Sequence, residues 1–312
     1  YLSCWGKRID ANEREQVGGV VDGRYRVLSI GDDHVCTTMG NFGGRRVHCD
    51  GNNDFGQNTD PIPLEQLDNK SGHWASQPYV VSSGNNHNCL LDSYGIYCWG
   101  DNSNGQTEVP NVANPKWVSA GGNVSCAIDS DNHVDCWGSN EFGQTDVPNE
   151  LELVDRVSVG GTFVCAVSLG QVICWGEVDN WDVQPASYTN VTHISSGYSH
   201  ACVLDEIQTS PINYSASCFG IDNPVDLLNV PQAINTNIRT ISAGTNFSCA
   251  SNIYTGFAWS SEDDGTYASM DHKGIHCWGV NEVGQSDVPK QLCLGYHNSQ
   301  VPFDDRTCPE IN

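Results

Sequence analysis

The stretch Val134-Asp-Cys-Trp-Gly-Ser-Asn-Glu-Phe-Gly-Gln144 joins a Cys-Trp-Gly phrase to a glycine-containing turn. This phrase, or a close variant of it, occurs seven times in the 312 residues of the protein. Self-similarity at a period of roughly 40 residues is typical of a repeat architecture. The copies begin at Cys4, Cys49, Cys98, Cys136, Cys174, Cys218 and Cys277.

The distances between the copies indicate a closed array. Successive copies lie 45, 49, 38, 38, 44 and 59 residues apart. Counting from Cys277 through the two termini to Cys4 gives 39 residues, the ordinary length of a unit. A repeat that closes on itself in this way is expected of a ring but not of an open solenoid. We therefore predict seven units, with the first strand of the chain completing the last unit.

Each unit has the pattern of short β-strands. Val118-Ser-Ala-Gly121 and Val157-Ser-Val-Gly160 occupy the same position in two regular units. Runs of β-branched residues bounded by Gly and Asn favour strands joined by turns. The tryptophan of each phrase is predicted to pack between sheets, because a large ring repeated at one position is typical of a core.

Two cysteines bracket a hairpin in each regular unit, and facing residues of an antiparallel pair lie close enough for a disulfide. A bridge across a loop of about ten residues stabilises a domain by roughly 2–3 kcal/mol. The predicted pairs are Cys36–Cys49, Cys89–Cys98, Cys126–Cys136, Cys165–Cys174, Cys202–Cys218 and Cys249–Cys277.

Three of the fifteen cysteines remain after this pairing. Cys308 and Cys4 are separated by 8 residues through the closure, close to the hairpin spacing, so we predict a Cys4–Cys308 bond. Cys293 is left over, either as a free thiol or as a bridge to another chain.

Composition limits the choice of partner. The protein has 14 basic and 38 acidic residues, a formal charge of −24, so binding to a phosphate backbone is not expected. The charge favours solubility, or attraction to a basic partner or to Ca²⁺. No apolar stretch is long enough to span a membrane. Cysteines at repeated positions indicate an oxidising compartment. A first residue of Tyr1, without Met or a hydrophobic leader, suggests either a removed signal peptide or a sequence that starts internally.

The repeat resembles the regulator of chromosome condensation family. The similarity lies in Ile194-Ser-Ser-Gly-Tyr-Ser-His200, the pattern Ile/Val-Ser-x-Gly-x-x-His, and in Trp137-Gly-Ser-Asn-Glu-Phe-Gly-Gln144. The resemblance implies an all-β, seven-bladed β-propeller with four-stranded blades, a single domain over residues 1–312. The paired cysteines are a departure from the family, so its nuclear role is not implied here. Fold-level analogy leaves the function open.

Function is expected where units depart from the repeat. Three insertions stand out, at residues 61–79, 206–216 and 251–273. Rings beside carboxylates suit the binding of a glycan or a protein, although such a loop can equally cover its own propeller face. The candidate binding residues are Trp74, Tyr254, Phe257, Trp259, Glu262, Asp263, Asp264 and Tyr267. Trp117 and Trp181 are further candidates for the surface.

The metal-binding patterns are weak. Asp50, Asn52 and Asp54 alternate like the start of a calcium loop, but no closing Glu follows them, and they align with the repeated turn. Calcium is thus the one cofactor considered. His34, His87 and His200 share one repeat position, which suits either a ring of metal ligands or hydrogen bonds to a turn.

Five Asn-x-Ser/Thr sequons occur, about the number that the composition produces by chance. In a secreted eukaryotic protein, exposed ones would bear glycans. Asn123 and Asn246 both follow the repeat Gly by two residues, so we expect them on one face. The candidate acceptors are Asn69, Asn123, Asn190, Asn213 and Asn246.

We therefore predict a secreted, acidic, disulfide-bonded glycoprotein that binds a glycan, as a lectin does, or an extracellular protein through its loops. One alternative is a structural component linked through Cys293 into a disulfide-bonded oligomer. A second is an enzyme that uses the central funnel. No nucleophile elbow, phosphate-binding loop or His-Glu metal helix supports an enzyme, and no catalytic residue is assigned.

Overall fold

The computed structural model describes residues 24–41, 44–59, 80–185, 188, 190–207, 213–221, 227–232, 238–252 and 275–279. Within these ranges the secondary structure is almost entirely β, with eighteen strands in six three-stranded antiparallel sheets. The prediction of an all-β protein built from repeated sheets is confirmed, although each described sheet has three strands where the resemblance implies four. Residues 1–23 and 280–312, which would form the closure, lie outside the described residues.

Each sheet is a meander of three consecutive strands, and we number the sheets as units 1 to 6 in chain order. Their strands are β1 (Arg24–Ile30), β2 (His34–Asn41) and β3 (Gly44–Gly51); β4 (Val80–Ser83), β5 (His87–Asp92) and β6 (Gly95–Gly100); β7 (Trp117–Gly121), β8 (Val124–Ile128) and β9 (Val134–Gly138); β10 (Val154–Val159), β11 (Phe163–Ser168) and β12 (Gln171–Gly176); β13 (Val191–Ser196), β14 (His200–Ile207) and β15 (Asn213–Gly220); β16 (Ile238–Ala243), β17 (Phe247–Asn252) and β18 (Ile275–Gly279).

The core lies between successive sheets. The middle strands β5, β8 and β11 are buried along their whole length, as expected for strands covered on both faces. One cluster joins Val124 and Ile128 of unit 3 to Val157 and Trp175 of unit 4. Each sheet therefore buries its apolar side chains against the next sheet in sequence.

The phrase tryptophans contribute to these interfaces, as the sequence predicts. Trp137, Trp175 and Trp278 are buried, and Trp99 is half-buried. Their indole N–H groups donate to backbone carbonyls of the preceding unit, at 2.9 Å from Trp137 to Gln106 and 2.8 Å from Trp175 to Gln144. A buried indole thus keeps its hydrogen bond.

A disulfide joins the second and third strands of every described unit. In each case the two cysteines face each other in register, with Cα atoms 4.0–4.1 Å apart. The pairs are those given by the hairpin spacing: Cys36–Cys49, Cys89–Cys98, Cys126–Cys136, Cys165–Cys174, Cys202–Cys218 and Cys249–Cys277. Cys4, Cys293 and Cys308 lie outside the described residues.

The serine of the Val/Ile-Ser-x-Gly pattern links the first strands of neighbouring units. Its hydroxyl accepts a hydrogen bond from a backbone N–H of the next first strand, at 2.8–3.1 Å, in all five described interfaces. The donor and acceptor pairs are Ser83 and Ser29, Ala120 and Ser82, Val159 and Ser119, Ser196 and Ser158, and Ala243 and Ser195. We call this series of bonds the serine ladder.

The glycine of the same pattern is required for space. A Cβ atom on Gly84 would lie 2.3 Å from Cε1 of His87, and one on Gly160 would lie 2.4 Å from Cε1 of Phe163. The ring three residues after the glycine packs directly on its Cα, while the glycine N–H donates to the carbonyl of that residue.

The described residues contain no helix with the length and hydrophobicity that a bilayer span requires.

Candidate binding surfaces

The units present two opposite faces. Two hydrogen bonds join β4 and β7 with the segments that follow them: Ala120 N–H donates to Ser82 Oγ, and Asn85 N–H donates to the Gly122 carbonyl, both at 2.9 Å. The second bond lies further along both segments than the first, so the two first strands run parallel. Because neighbouring first strands run parallel, all loops from first to second strands lie at one end, with the glycine turns that follow the third strands. We call this end the turn face. The opposite end, where second strands connect to third strands, is the hairpin face.

Two of the predicted insertions leave from the hairpin face of neighbouring units. The backbone leaves β14 at Ile207 and enters β15 at Asn213, and it leaves β17 at Asn252 and enters β18 at Ile275. The predicted binding residues of the second connection lie outside the described residues, as does the whole of insertion 61–79 with Trp74. These residues are Tyr254, Phe257, Trp259, Glu262, Asp263, Asp264 and Tyr267.

The glycine turn is a network of hydrogen bonds between side chains and the backbone. In unit 3, Asn140 Oδ1 accepts from the N–H of Thr145 at 2.9 Å, and Gln144 Oε1 accepts from the N–H of Phe142 at 2.8 Å. The turns of units 1 and 2 repeat both bonds. The Asn and Gln of the repeated phrase are therefore explained by the turn itself.

The predicted calcium residues take part in this turn. Asn52 Oδ1 accepts from the N–H of Asp54 at 2.7 Å, and Asn52 Nδ2 donates to Asp54 Oδ2 at 3.2 Å. Asp50 lies at the end of β3, with Oδ2 3.2 Å from Nε2 of His48. The alternating oxygens thus serve the local fold, which is the alternative that the sequence left open.

The exposed surface of the turn face combines carboxylates with aromatic rings. Phe55, Phe142 and Tyr198 are about half exposed there. The described part of the turn face contains no Lys or Arg. Partial burial, and then the charge of Asp33, raises the pKa of Asp32, while His34 opposes this rise. The carboxylates include Asp32, Asp33, Asp54, Asp101, Glu108, Glu141, Asp146 and Glu177.

The three repeat histidines lie buried between units and contact polar side chains of the next unit. His34 Nε2 lies 2.7 Å from Asn88 Oδ1, His87 Nε2 2.9 Å from Ser125 Oγ, and His200 Nε2 2.7 Å from Ser248 Oγ. Because the amide oxygen of Asn88 can only accept, Nε2 of His34 is the donor. These contacts account for the histidines as parts of the interfaces.

Burial keeps these histidines neutral. It lowers the pKa of His87 to about 4, helped by the charge of His34, and it lowers the pKa of His200 to about 4. The pKa of His34 is also lowered by burial, against the hydrogen bond to Asn88 and the nearby carboxylates. Neutral imidazoles at these positions require no counter-ion.

The hydroxyls of two sequons are already used by these contacts. Ser125 completes the sequon of Asn123 and Ser248 that of Asn246, and both serines are fully buried against histidines. These two sequons thus follow from the packing of the repeat. Asn190 is exposed at the hairpin-face end of β13, and Asn213 begins β15 at the same face. Asn69 lies outside the described residues.

One group of possible metal ligands occurs among the described residues: Asp129, Asp131 and His133, at the hairpin face of unit 3. Their ligand atoms lie within 4.8 Å of one another. Asp129 Oδ1 accepts from the N–H groups of Asp131 and His133, at 2.8 and 2.9 Å. The cluster is therefore accounted for as a hydrogen-bonded turn between β8 and β9.

The prediction that Trp181 lies at the surface is wrong. It is only 7% exposed and packs against Phe163, with ring centroids 4.8 Å apart, and against Phe219, at 5.7 Å. Phe219 stands where other units have the phrase tryptophan, so Trp181 fills the space that the smaller ring leaves. Trp117 is half-buried on the first strand of unit 3.

Comparison with known families and structures agrees with this architecture. The model of the family described as Regulator of chromosome condensation (RCC1) repeat matches residues 80–106 and 118–144. These segments begin at the first strands of units 2 and 3 and end in their glycine turns. The resemblance inferred from the sequence is confirmed. Comparison with curated proteins gives no match.

Several solved structures have a similar fold. The CRINKLY WD40 ectodomain of the Arabidopsis thaliana receptor kinase ACR4 is 24% identical, with a TM-score of 0.58 over 83% of this protein and 80% of that one. The ectodomain of the Physcomitrella patens receptor kinase CR4 is 22% identical, with a TM-score of 0.58 over 84% and 62%. Prp20p of Saccharomyces cerevisiae is 13% identical, with a TM-score of 0.58 over 83% and 72%.

Proposed function

We propose that this protein is an extracellular recognition protein that binds a protein or glycan partner through the hairpin face of a seven-bladed propeller. The observation that carries the proposal is the position of the two hairpin insertions. They leave neighbouring units at the same face, between Ile207 and Asn213 and between Asn252 and Ile275. Variable loops on a rigid repeated scaffold are a common way to build a binding surface.

The seven-unit ring extends the six described sheets. The seventh unit would be formed by the two ends of the sequence, over residues 1–23 and 280–312, as the interval of 39 residues through the termini suggests. In this arrangement Cys4 and Cys308 form the seventh disulfide, and residues 1–312 form one domain. Its closure would hold the hairpins of units 5 and 6 beside that of unit 7.

The disulfides support an extracellular location. Each described unit contains an intramolecular disulfide, and such density is typical of oxidising compartments. Two similar folds are ectodomains of plant receptor kinases. For another similar fold, Prp20p, binding to Gsp1p and histones has been described. These similarities favour a scaffold that presents loops to partner proteins.

Residues 251–273 contain the side chains best suited to the contact. The rings of Tyr254, Phe257, Trp259 and Tyr267 offer stacking and apolar area, and Glu262, Asp263 and Asp264 offer acceptors. Trp74 of the insertion at 61–79 would add to this surface in the closed ring.

The test measures binding of the folded protein to arrays of glycans and of purified extracellular domains. Trp259→Ala and Tyr254→Ala are compared with Phe142→Ala, which removes an exposed ring from the turn face. We expect the loop variants to bind at least about thirtyfold more weakly, because central aromatic residues contribute about 2 kcal/mol or more. Phe142→Ala should bind like the native protein. The opposite pattern, loss only in Phe142→Ala, would transfer the site to the turn face.

A further inference from the structure

The basic residues that the structure describes, seven of the fourteen in the sequence, lie near one face. Among the described residues, every Lys and Arg lies at the hairpin-face end of a first or third strand. These seven residues are Arg24 and Arg26 of β1, Arg45 and Arg46 of β3, Lys116 just before β7, Arg156 of β10 and Arg239 of β16. The described turn face has no basic residue, whereas the hairpin face has basic residues beside carboxylates such as Asp129 and Asp131, so an anion would have to bind where a cation lacks an acidic partner.

Arg156 is the cation whose surroundings are best defined. Its guanidinium carbon lies 5.0 Å from the centroid of the Trp117 ring on the neighbouring first strand. The indole N–H of Trp117 in turn donates to the carbonyl of Val157 at 3.0 Å. A guanidinium stacked on an anchored ring loses little freedom when it binds an anion.

Within the described ranges, the guanidinium of Arg156 has no acidic partner. Its one hydrogen bond to another described residue runs from Nη1 to the backbone carbonyl of Asp155 at 2.9 Å. Among the described residues, no carboxylate lies within ion-pair distance of it, although the protein has 38 acidic side chains. Four of its five N–H donors therefore remain for a ligand.

Arg156 lies at a β-bulge. The pairing of β10 with β11 shifts by one residue between Val154 and Arg156. The first strands β1, β13 and β16 have the same irregularity, so the bulge belongs to the repeat, and the Trp117 ring is what distinguishes the surroundings of Arg156. His193 lies close to Arg156: burial lowers the pKa of His193, and the charge of Arg156 lowers it further.

We propose that Arg156, held against Trp117, binds a carboxylate of the protein partner, either an Asp or Glu side chain or the carboxylate at the partner's last residue. One guanidinium matches one carboxylate in charge and in geometry. A polyanion would meet the repulsion of a protein with a net charge of −24. The ring face of Trp117 is covered by Arg156, so it offers no stacking surface to a sugar.

The alternative is a purely structural role, in which the aliphatic part and the guanidinium of Arg156 only shield the Trp117 ring from solvent. That role explains the stacking, but it needs no free donors and no concentration of cations at this face. The two roles can be distinguished by titration. Only a binding site is saturated by a ligand with a carboxylate and is unaffected by the same ligand with an amide in its place.

The experiment observes the arginine Nε–Hε resonances of the nitrogen-15-labelled protein during titration with N-acetyl-glutamic acid amide. The Arg156 signal is assigned with Arg156→Lys. It should shift and saturate with this probe, and stay in place with N-acetyl-glutamine amide. Arg156→Lys keeps the charge but loses the fork, so its affinity, measured by calorimetry, should fall about tenfold. Lys116→Gln, which removes a cation whose ammonium donates to Asn132, should bind like the native protein.

Three results would overturn the proposal: an equal shift with the amide, an equal shift with phosphate at the same ionic strength, or equal affinity in Arg156→Lys. Tighter binding of glucuronate than of the glutamyl probe would overturn the assignment to a protein partner. The inference rests on the proposed use of the hairpin face but is tested apart from it. If Trp259→Ala leaves partner binding intact while Arg156 still saturates, the loop proposal fails and the carboxylate site stands.

Discussion

The interfaces between units are of two kinds that share one geometry. Between units 1 and 2, 2 and 3, and 5 and 6, a buried histidine contacts Asn88, Ser125 or Ser248 of the next unit. Between units 3 and 4, and 4 and 5, the histidine position holds Val124 or Phe163, and the polar position holds Val164 or Ala201. The serine ladder crosses both kinds alike.

This difference shows that the residue at the histidine position of one unit matches the residue that faces it in the next unit. A polar residue in one strand occurs with a polar residue in the next sheet, and an apolar residue with an apolar one. A buried polar group without a partner is costly, so a polar residue opposite each histidine is favourable because it gives Nε2 a partner, even though Nδ1 of the three histidines has none among the described residues. Ser125, for instance, contacts His87 and also donates to the carbonyl of Gln106 at 2.9 Å.

The largest effect is expected at the apolar interface of units 4 and 5. Phe163 is 1% exposed and contacts Trp181, so Phe163→Ala should lower the free energy of unfolding by about 3–5 kcal/mol through the cavity it leaves. Phe142→Ala, the matched change of an exposed ring, should alter stability by less than about 0.5 kcal/mol. Urea denaturation measures both. Similar losses in the two variants would contradict a core at this interface.

Acid should weaken the polar interfaces selectively. The pKa of His200 is about 4 in the folded protein, below its ordinary value of 6.5, so the unfolded protein binds more protons between these pH values. The stability from this group is complete above pH 6.5, falls as the pH drops towards 4, and is constant below. The loss reaches up to about 3 kcal/mol for the buried imidazole.

The double variant His200→Phe/Ser248→Ala isolates this contribution, because it copies the pair found at Phe163 and Ala201. Denaturation at about pH 7 and about pH 4.5 should show a smaller acid loss in the double variant than in the native protein. Equal losses would mean that His200 does not titrate between the folded and unfolded states in this range.

The smallest effect concerns one hydroxyl. Ser248→Ala leaves Nε2 of His200 without its partner, which should cost about 1–3 kcal/mol at neutral pH. Adding His200→Phe should recover most of this loss, since both positions are then apolar. Thermal or urea unfolding of the two variants measures the difference. A double variant less stable than Ser248→Ala alone would show that the two positions are not coupled.

Much of this architecture is predictable from the sequence because the same pattern of residues recurs in several units. The hairpin cysteines, the phrase tryptophans and the glycine turn each recur at fixed spacing, and a strand period of two residues places them in one register. The role of His87 was open between metal and hydrogen bond, since Ser125, its partner, is 38 residues away. Cross-unit pairs of this kind are visible only when the sheets are placed side by side.

Irregular positions were harder to predict for the same reason. Trp181 is not part of the phrase, so its burial depends on Phe219 being smaller than tryptophan, a compensation between distant residues. Arg156 belongs to no motif, and its importance comes from the ring of Trp117 beneath it and from the absence of an ion-pair partner among the described residues. The loop over 251–273 has no repeat to align with, so its residues remain a prediction.

The serine ladder also has a consequence for behaviour in crowded solution. A first strand without a neighbour would offer free N–H groups to any extended peptide, which is how open sheets recruit further strands. Here Ser29, Ser82, Ser119, Ser158 and Ser195 occupy one such donor on each following strand. A single hydroxyl thus occupies one edge donor in each of the described units 2 to 6, which leaves one fewer site for pairing with another copy of the protein.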